Sequence, residues 1–587
     1  MSDFFETARI IAFEQLKLTN AVSILDANER KNLKLQDYKD IWCINTEMFL
    51  TNGIARTIQL LIALPDDFPL VLPKIFLSSQ DNEWIKYIPH VNVAGHVCLL
   101  DEETITLDTN QPGNILKECL LKAQEIIEKG LHLKNTQDFT DEFIAYWDES
   151  YDSKDRVVTG LNMIGSEISK EDTSIRFLYL KKSFAGHSII LHNDNIDFQQ
   201  FKSFLKKYEH GFEEHEAFYI GEIKGLVPPF NYLNSSTYQI VVEHFPVLLR
   251  KYERFVNTLA YPKLVLFSIV VNGNSLFFGW QIPPLNTQRN GFRESRLSPM
   301  EVYAKFQKSD HVIRVKFDIF TKERIYQRTD GIDYIHEPKR ITIAGLGSIG
   351  SNLLQYLLPL EIDEINLIDP DVLSLENINR HLLGLQYIRT DKVEAIKQFL
   401  ELKNPLLKIQ PYKTSVIRMI RDRVDIFNDT DYIFIAIGKN NIEEYIFDAL
   451  GNNVLTKPIF FLWIEPYLCG AHCLFINPGH NLKFEHLFNE GLFTYNIIDS
   501  SEYKDGSRQL LFREAGCQSS YLPYGQKNIT LFLSRLVPFI YDIMDVKSTK
   551  NIRLTWKGNP LIQDKLNLKL SDIGHQINNG EIQMSTL

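Results

Sequence analysis

Ile341-Thr342-Ile343-Ala344-Gly345-Leu346-Gly347-Ser348-Ile349-Gly350, with Glu364-Ile365-Asn366-Leu367-Ile368-Asp369-Pro370-Asp371 one helix-length later, is the stretch that decides the fold of this chain. Ile341 to Ala344 is a short apolar run rich in β-branched residues, the pattern of a strand buried on both faces of a parallel sheet. The glycine turn follows, and Leu353, Leu354, Leu357 and Leu358 then recur at helical spacing. A second strand, Glu364 to Ile368, runs into Asp369 and Asp371. Glycines at 345, 347 and 350 allow the backbone close to a phosphate, and a helix N-terminus offers unpaired N–H groups. An acid at the end of the second strand can hold ribose hydroxyls.

A glycine turn of this kind also serves dehydrogenases and flavoproteins. The residues beyond it narrow the reading: Asn377-Ile378-Asn379-Arg380, Thr390-Asp391-Lys392-Val393 and Lys403-Asn404-Pro405. A nicotinamide site has no need of an arginine and a lysine converging on a polyphosphate. A site that holds ATP while a carboxylate attacks its α-phosphate does, because charge builds on the phosphoryl oxygens. Over roughly residues 322 to 550 the series resembles the Rossmann-like adenylating (ThiF-like) domain of ubiquitin-activating enzymes and of the sulfur-carrier activators of molybdopterin and thiamin synthesis. The resemblance implies ATP and Mg2+, with Asp369 on the ribose, Arg380 and Lys392 on the phosphates, and Asp371 and Asn377 shaping the pocket. That family places a magnesium-holding aspartate after the fourth strand. Here the strand runs Ile435-Ala436-Ile437-Gly438-Lys439-Asn440, so Asn440, Glu443 or Glu444, or else phosphate and water, would hold the ion.

At 587 residues the chain should hold several domains. Its 44% hydrophobic and 23% charged residues are ordinary globular composition. A net charge of −11 without a basic block argues against a general nucleic-acid binder. Met1 to Glu6 lacks the basic flank and apolar core of a secretion signal. Pro458 to Ile476 is broken by Glu465, Pro466 and His472, so it reads as core strands and not a membrane span. The 6 cysteines are scattered and fit no disulfide framework, which points to a reducing cytoplasm.

The first 150 residues read as an α+β domain. An amphipathic helix spans Phe4 to Leu16, extended runs span Ile41 to Phe49, Ala55 to Leu64 and Lys74 to Leu77, and helices span Ile115 to Lys129 and Asp138 to Trp147. Between them lies Pro89-His90-Val91-Asn92-Val93-Ala94-Gly95-His96-Val97-Cys98-Leu99. With Asp67-Phe68-Pro69 and Pro73-Lys74-Ile75, this ordering resembles the ubiquitin-conjugating fold. The resemblance implies an acyl-carrying role for Cys98 and an oxyanion-stabilising role for Asn92. The usual His-Pro-Asn reads His-Val-Asn here and lies nearer the cysteine than usual. Cys43 and Cys119, in apolar periodic runs, read as core.

Residues 151–320 carry no chemical motif and read as an α+β linker domain serving as spacer and dimerisation platform. It has helices over Phe198 to Tyr208 and Glu243 to Phe255, and a hairpin joined across Gly273-Asn274. Residues 321–587 continue the adenylating domain. Cys517, in Arg513-Glu514-Ala515-Gly516-Cys517-Gln518, lies in a loop before a helix where a nearby cation would favour the thiolate. The resemblance makes it the acceptor cysteine. Arg324-Ile325-Tyr326-Gln327-Arg328 resembles the segment that sends an arginine, here Arg328 or else Arg324, into a partner subunit's ATP site, which implies a homodimer. Cys469 and Cys473 lack the paired Cys-x-x-Cys sequences of a structural zinc, and no metal ligand is assigned. The last residues, about Gly574 to Leu587, read as a frayed polar end.

Two thiols and one ATP site in a single chain imply a relay: adenylation of a protein tail carboxylate, thioester on Cys517, exchange to Cys98, then transfer to an amine or other nucleophile. The conjugating-first order resembles the fused activating/conjugating proteins of bacterial CBASS anti-phage operons, where the tail belongs to a cGAS-like nucleotidyltransferase. The alternatives are a fusion serving a bacterial ubiquitin-like protein, a sulfur-carrier adenylyltransferase, an NAD(P) oxidoreductase, and a non-catalytic scaffold. The sulfur carrier leaves Cys98 unexplained, and the oxidoreductase leaves Arg380 with Lys392 unexplained.

Overall fold

The strand Lys339–Ala344 runs between Ile362–Ile368 and Tyr432–Ile435, parallel to both. Lys408–Tyr412 extends the sheet parallel on one side and Ile459–Ile464 on the other. Chain order across the sheet therefore reads third, second, first, fourth, fifth. The winding reverses between the first and fourth strands, and a crevice opens there at the carboxyl ends. Three antiparallel strands, Gly470–Ile476, Ile552–Lys557 and Ile582–Thr586, complete eight. Helical Leu353, Leu354, Leu357, Phe532 and Leu536 pack with Ile341 and Ile343 on one face. Phe447 and Leu450 pack with Ile433 and Ile435 on the other. Burial on both faces is why the first strand is continuously apolar.

The computed structural model describes the chain apart from residues 1, 26–29, 31–34, 51, 86, 100–104, 166–172, 257–261, 284–309, 331–337, 490, 505–509, 511, 514–519 and 559. The side chains of 2–3, 327–330, 504, 513, 520–521 and 560–562 are likewise outside the description. Two units form: Met1–Asn195 with Glu209–Thr321, and Ile196–Tyr208 with Lys322–Leu587.

In the first unit, Asp40–Phe49, Ala55–Leu64 and Lys74–Leu77 make the expected antiparallel meander, flanked by Val22–Ile24 and His96–Val97. Ser2–Lys17 and Pro112–Leu131 pack on it through Ala12, Leu16, Leu116 and Ile127, with Cys119 in the same core. Cys43 is buried too, as its apolar run implied. The middle residues close a barrel of seven strands, Val157–Asn162, Ser174–Phe184, His187–His192, Phe212–Glu222, Lys263–Val271, Asn274–Ile282 and Ile313–Ile319. The overall class is thus a multidomain combination of α/β and α+β parts, with the conjugating-type fold first and the Rossmann-like fold last.

Four local expectations change. The hairpin turn is Asn272-Gly273, one residue earlier than expected; both residues have positive φ, 49° and 78°, as a two-residue hairpin loop requires. The helix expected over Glu243 to Phe255 is broken: Asn234–His244 ends before Pro246, and Leu249–Val256 starts after it. Proline lacks the N–H that a continuing helix needs. The segment expected as one helix over Asp138 to Trp147 forms two short ones, Asp138–Asp141 and Phe143–Asp148. The C-terminal end is not frayed. Ile582–Thr586 pairs with Ile552 to Trp556, and Leu587 N–H donates to Asn551 O at 2.9 Å. A sheet edge offers backbone hydrogen bonds whatever the side chains are, so polarity there was a poor guide.

The helix Ile196–Lys207 comes from the middle of the sequence yet belongs to the second unit. Lys207 Nζ pairs with Glu401 at 2.5 Å, Gln200 Nε2 donates to Pro405 O at 3.1 Å, and Asp197 pairs with Lys322 at 3.0 Å. Phe198, Phe201 and Phe204 of this helix are buried, and burial of each such side chain is worth about 1.5–3 kcal/mol. A fragment of residues 322–587 alone is therefore expected to aggregate, and addition of a 196–208 peptide to raise its melting temperature. Light scattering after size exclusion checks this; a monodisperse bare fragment would show the helix to be dispensable.

Candidate functional sites

A cavity of about 500 Å³ opens at the switch point of the eight-stranded sheet. The turn at its floor is shaped by two glycines. Gly345 has φ +91°, and a Cβ there would lie 2.5 Å from Ala436 O; a Cβ on Gly350 would lie 2.0 Å from Gly345 O. Gly347 precedes the helix Ser348–Leu357 with no side-chain cap on its first N–H groups and nothing within 4 Å of where a Cβ would point. A phosphate is the ligand such a helix start accepts most readily.

Asp369 sits beneath the turn. Its Oδ2 accepts Leu346 N–H at 2.6 Å and its Oδ1 accepts Asp371 N–H at 2.8 Å. Burial pushes its carboxyl above the ordinary range, and Lys392, 3.9 Å away, opposes that. Lys392 Nζ also donates to Asp371 Oδ2 at 2.9 Å. Asn377 Oδ1 accepts from Ser374 N–H and Oγ–H, both at 3.1 Å, and so fixes the loop before Arg380. Gly347, Asn377, Arg380 and Lys392 line the cavity, while Gly345, Gly350, Asp369 and Asp371 support it from below or beside.

Several residues in or beside the cavity carry no motif signal. The Arg380 guanidinium lies 5.4 Å from the centre of the Tyr524 ring, and Tyr524 shares a 2.6 Å hydrogen bond with Ser348 Oγ. His381 Nε2–H donates to Leu346 O at 2.9 Å and its Nδ1 accepts Leu383 N–H at 3.0 Å. Burial lowers its pKa to about 4, so it remains neutral and holds the turn from the other side. Trp463, Phe488, Leu492, Phe493, Tyr503 and Leu522 add aromatic and apolar wall.

Magnesium ligation can be tested on the donor set. Among the described lining residues Glu465 is the one carboxylate. It already accepts Ile497 N–H at 2.6 Å, Ile498 N–H at 2.8 Å and His472 Nε2–H at 2.9 Å. Asn440 Nδ2 donates to Gly491 O. Glu443 is buried and accepts Gly438 N–H at 2.8 Å. The described lining therefore does not fit a protein-held Mg2+, and no step is routed through one.

Cys98 is exposed at the end of the short strand His96–Val97, and its N–H donates to His90 O at 2.7 Å. It shares a recess of about 570 Å³ with His90, Asn92, His96, Glu142, Tyr146 and Glu149. Asn92 Oδ1 accepts His96 N–H at 2.9 Å, so the carboxamide braces the loop that leads to Cys98. Cys517 lies outside the described residues, as does the side chain of Arg328 within the helix Lys322–Asp330. Arg324 is exposed on that helix. Cys469 and Cys473 are buried, and burial raises the Cys469 pKa to about 12. Among the described residues no group of three or more potential metal ligands gathers, and no helix is long and apolar enough to cross a membrane.

Comparison with known proteins matches two segments of the chain. Residues 24–155 match the model of prokaryotic E2 family B, and residues 326–484 match the ThiF family. The adenylyltransferase and sulfurtransferase UBA4 of Lodderomyces elongisporus is 30% identical over 95 residues, 16% of this chain and 19% of that protein. The ubiquitin-activating enzyme E1-like protein of Saccharomyces cerevisiae is 33% identical over 100 residues, 17% of this chain and 15% of that one. The chain thus spans less than a fifth of these two relatives. Among solved structures, Escherichia coli MccB with ATP is 15% identical with a TM-score of 0.27, covering 40% of this chain and 64% of that one. The chain joins an E2-like segment to a ThiF-like segment.

Burial raises the Glu443 pKa to about 7 from 4.5. A raised folded pKa makes the contribution largest below about pH 4.5 and loses it progressively as pH climbs to about 7. Glu443→Gln keeps an acceptor for Gly438 N–H. The variant should have a higher melting temperature than the parent at pH 8 and a flatter pH dependence between 4.5 and 7, as scanning calorimetry would reveal.

Proposed function

We propose that this chain activates a protein's C-terminal carboxylate with ATP and passes the acyl group along two of its own cysteines. The observation that carries the reading is the convergence of an uncapped helix start, Arg380 and Lys392 on one cavity at the switch point, in a chain that also exposes Cys98 in an E2-like loop. A nicotinamide would not use two cations there.

In the adenylation step the tail carboxylate attacks the α-phosphorus of ATP, the bond to the β-phosphate breaks, and pyrophosphate leaves. The Ser348 helix start receives phosphate oxygens on its N–H groups. Arg380 leaves the face of Tyr524, and Lys392 leaves the Asp371 carboxylate, to meet the charge that builds as the bond breaks. Asp369 serves the ribose while its backbone contacts keep the turn closed under the nucleotide. Cys517 as thiolate then attacks the acyl carbon and AMP departs; Cys98 takes the acyl group by thiol exchange, with Asn92 beside the developing oxyanion. An amine ends the relay by displacing the Cys98 thiolate. Holding both thiols in one chain raises their effective concentration.

The division at 1–150, 151–320 and 321–587 is part of this proposal, with the helix Ile196–Lys207 packed in the unit of the last part. A homodimer in which Arg328, or else Arg324, completes the partner's ATP site follows from the resemblance of the 324–328 segment to the activating family, a cytoplasmic setting from the scattered cysteines, and a cGAS-like nucleotidyltransferase as tail donor in anti-phage defence from the resemblance to CBASS fusion proteins. The UBA4 relative, named as an adenylyltransferase and sulfurtransferase, supports a second reading, activation of a sulfur carrier, in which Cys98 has no part.

Arg380→Ala should reduce ATP–pyrophosphate exchange at least about 100-fold, the scale of losing a transition-state donor, and Asp369→Ala should abolish it, because the Leu346 and Asp371 N–H groups lose the carboxylate that sets the turn. Cys517→Ala should retain exchange yet form no thiol-sensitive adduct. Cys98→Ala should stop at the Cys517 adduct. Incubation with ATP, labelled pyrophosphate and tail-bearing proteins reads the exchange, and non-reducing mass spectrometry of the same samples reads the adducts. Full conjugation by Cys98→Ala would remove the relay, and exchange that survives Arg380→Ala would remove the adenylation site.

A further inference from the structure

The two short helices over 138–148 lie inside the matched E2-like segment, but their apolar side chains belong to the barrel. Phe139, Phe143, Tyr146 and Trp147 pack in one core with Phe230, Phe267, Phe278 and Trp280. The Phe143 and Phe278 ring centres are 4.7 Å apart, and those of Trp147 and Phe230 are 5.2 Å apart. Arg314, on the barrel strand Ile313–Ile319, is fully buried. It pairs with buried Asp155 at 2.6 Å and donates to the carbonyls of Trp147 and Glu149. Tyr151 Oη–H donates to Tyr146 O at 2.8 Å. The segment is therefore a rigid strap anchored in the barrel.

Its polar edge grips the loop that carries Cys98 at three points. Tyr146 Oη accepts His90 N–H at 2.6 Å, and Glu149 Oε2 accepts Val93 N–H at 3.0 Å. The His90 ring lies between Asp138 Oδ2 at 2.9 Å and Glu142 Oε1 at 3.1 Å. His90 has φ 64°, in the left-handed region, and its carbonyl accepts the Cys98 N–H at 2.7 Å. A chain of single contacts thus runs from the buried Arg314 through the strap to His90 and on to the thiol-bearing residue.

We infer that the middle barrel positions Cys98: the strap over 138–149 holds the His90–Val93 loop in the geometry from which Cys98 receives and delivers its acyl group, with Tyr146 and Glu149 as positioning residues. The barrel is then a working part of the second transfer and not a spacer. The inference rests on the relay described above for its consequence, though not for its geometry. His90 is faced by Asp138, Glu142 and Tyr146 of the strap, while Asp141, Glu149 and His96 line the rest of the recess. The Glu142 carboxylate foremost, with Asp138, holds the His90 pKa above its ordinary value against the opposing effect of burial. Both ring nitrogens can donate only in the imidazolium form. The grip is thus fullest below the ordinary imidazole value and loosens as pH rises through the raised one.

The test uses the full chain with Glu149→Ala, Glu149→Gln and Tyr146→Phe, melting temperature being recorded for each. The glutamine variant would still accept Val93 N–H; the alanine variant would not. Amide hydrogen exchange of the peptide covering 89–99 should speed up about 10-fold in Glu149→Ala, the scale of one lost hydrogen bond, and stay near the parent rate in Glu149→Gln. Tyr146→Phe should show the same loosening at His90 with its ring still packed. Transfer from the Cys98 adduct to an amine, in single turnover, should fall in step with exchange across the three variants and across pH. Unchanged exchange in Glu149→Ala and Tyr146→Phe would overturn the inference. So would equal loss of transfer in Glu149→Ala and Glu149→Gln, since that would make the charge and not the hydrogen bond the cause. Faster exchange in a protein that never carries an adduct on Cys98 would sink the relay and leave the positioning intact.

Discussion

The buried carboxylate of Asp369 is the constraint on which the nucleotide-type site depends. It ends the second strand of the sheet and takes two backbone N–H groups, one from the glycine turn after the first strand and one from the loop that follows itself. Burying a carboxylate is costly unless its lone pairs are filled. Here the donors come from the very segments whose spacing must be kept. The close approach of Gly345 to Ala436 O adds the fourth strand to the same junction, so three strand ends are set against one another where the winding reverses. Lys392 and Arg380 project over this junction, each held by a partner, Asp371 and Tyr524, that an incoming polyphosphate would displace.

The same logic governs the first unit in another form. There an exposed thiol, Cys98, stands on an irregular loop, and irregular backbone has few hydrogen bonds of its own with which to hold a geometry. The barrel's strap provides them. Its apolar side is locked by aromatic packing and by Arg314, so its polar side can act as a rigid edge. Positions on rigid elements place groups more tightly than loops alone. In both sites a flexible, Gly-containing segment is disciplined by a carboxylate at its margin: Asp369 in one, Glu149 and Glu142 in the other.

Much of this was legible without coordinates. The apolar run at 341, the glycine spacing and the acid at 369 prescribe a parallel sheet with a crevice, because burial on both faces and a sharp turn each demand particular residue types. The meander at 40–77 and the paired helices followed from alternation and turn residues. Tyr524, His381 and Glu465 were not legible as site residues. Each is an ordinary residue type in an ordinary context, and each matters only because folding brings it within hydrogen-bonding distance of something far away in sequence. The edge strand at Ile582–Thr586 went unread for the same reason: its partner is backbone, which composition does not encode.

Sequence by itself thus determined the two folds, their order, and the residue types gathered at the switch-point cavity and around Cys98, since those rest on periodicity, turn chemistry and charge within short windows. Only the tertiary structure decided that the helix Ile196–Lys207 belongs with the Rossmann-like unit, that the helices over 138–148 belong with the barrel, and that a barrel carrying no motif grips the loop of Cys98. The reason is physical. An amphipathic helix specifies that one face will be buried but not against what, and that choice is made by shape and packing among segments hundreds of residues apart.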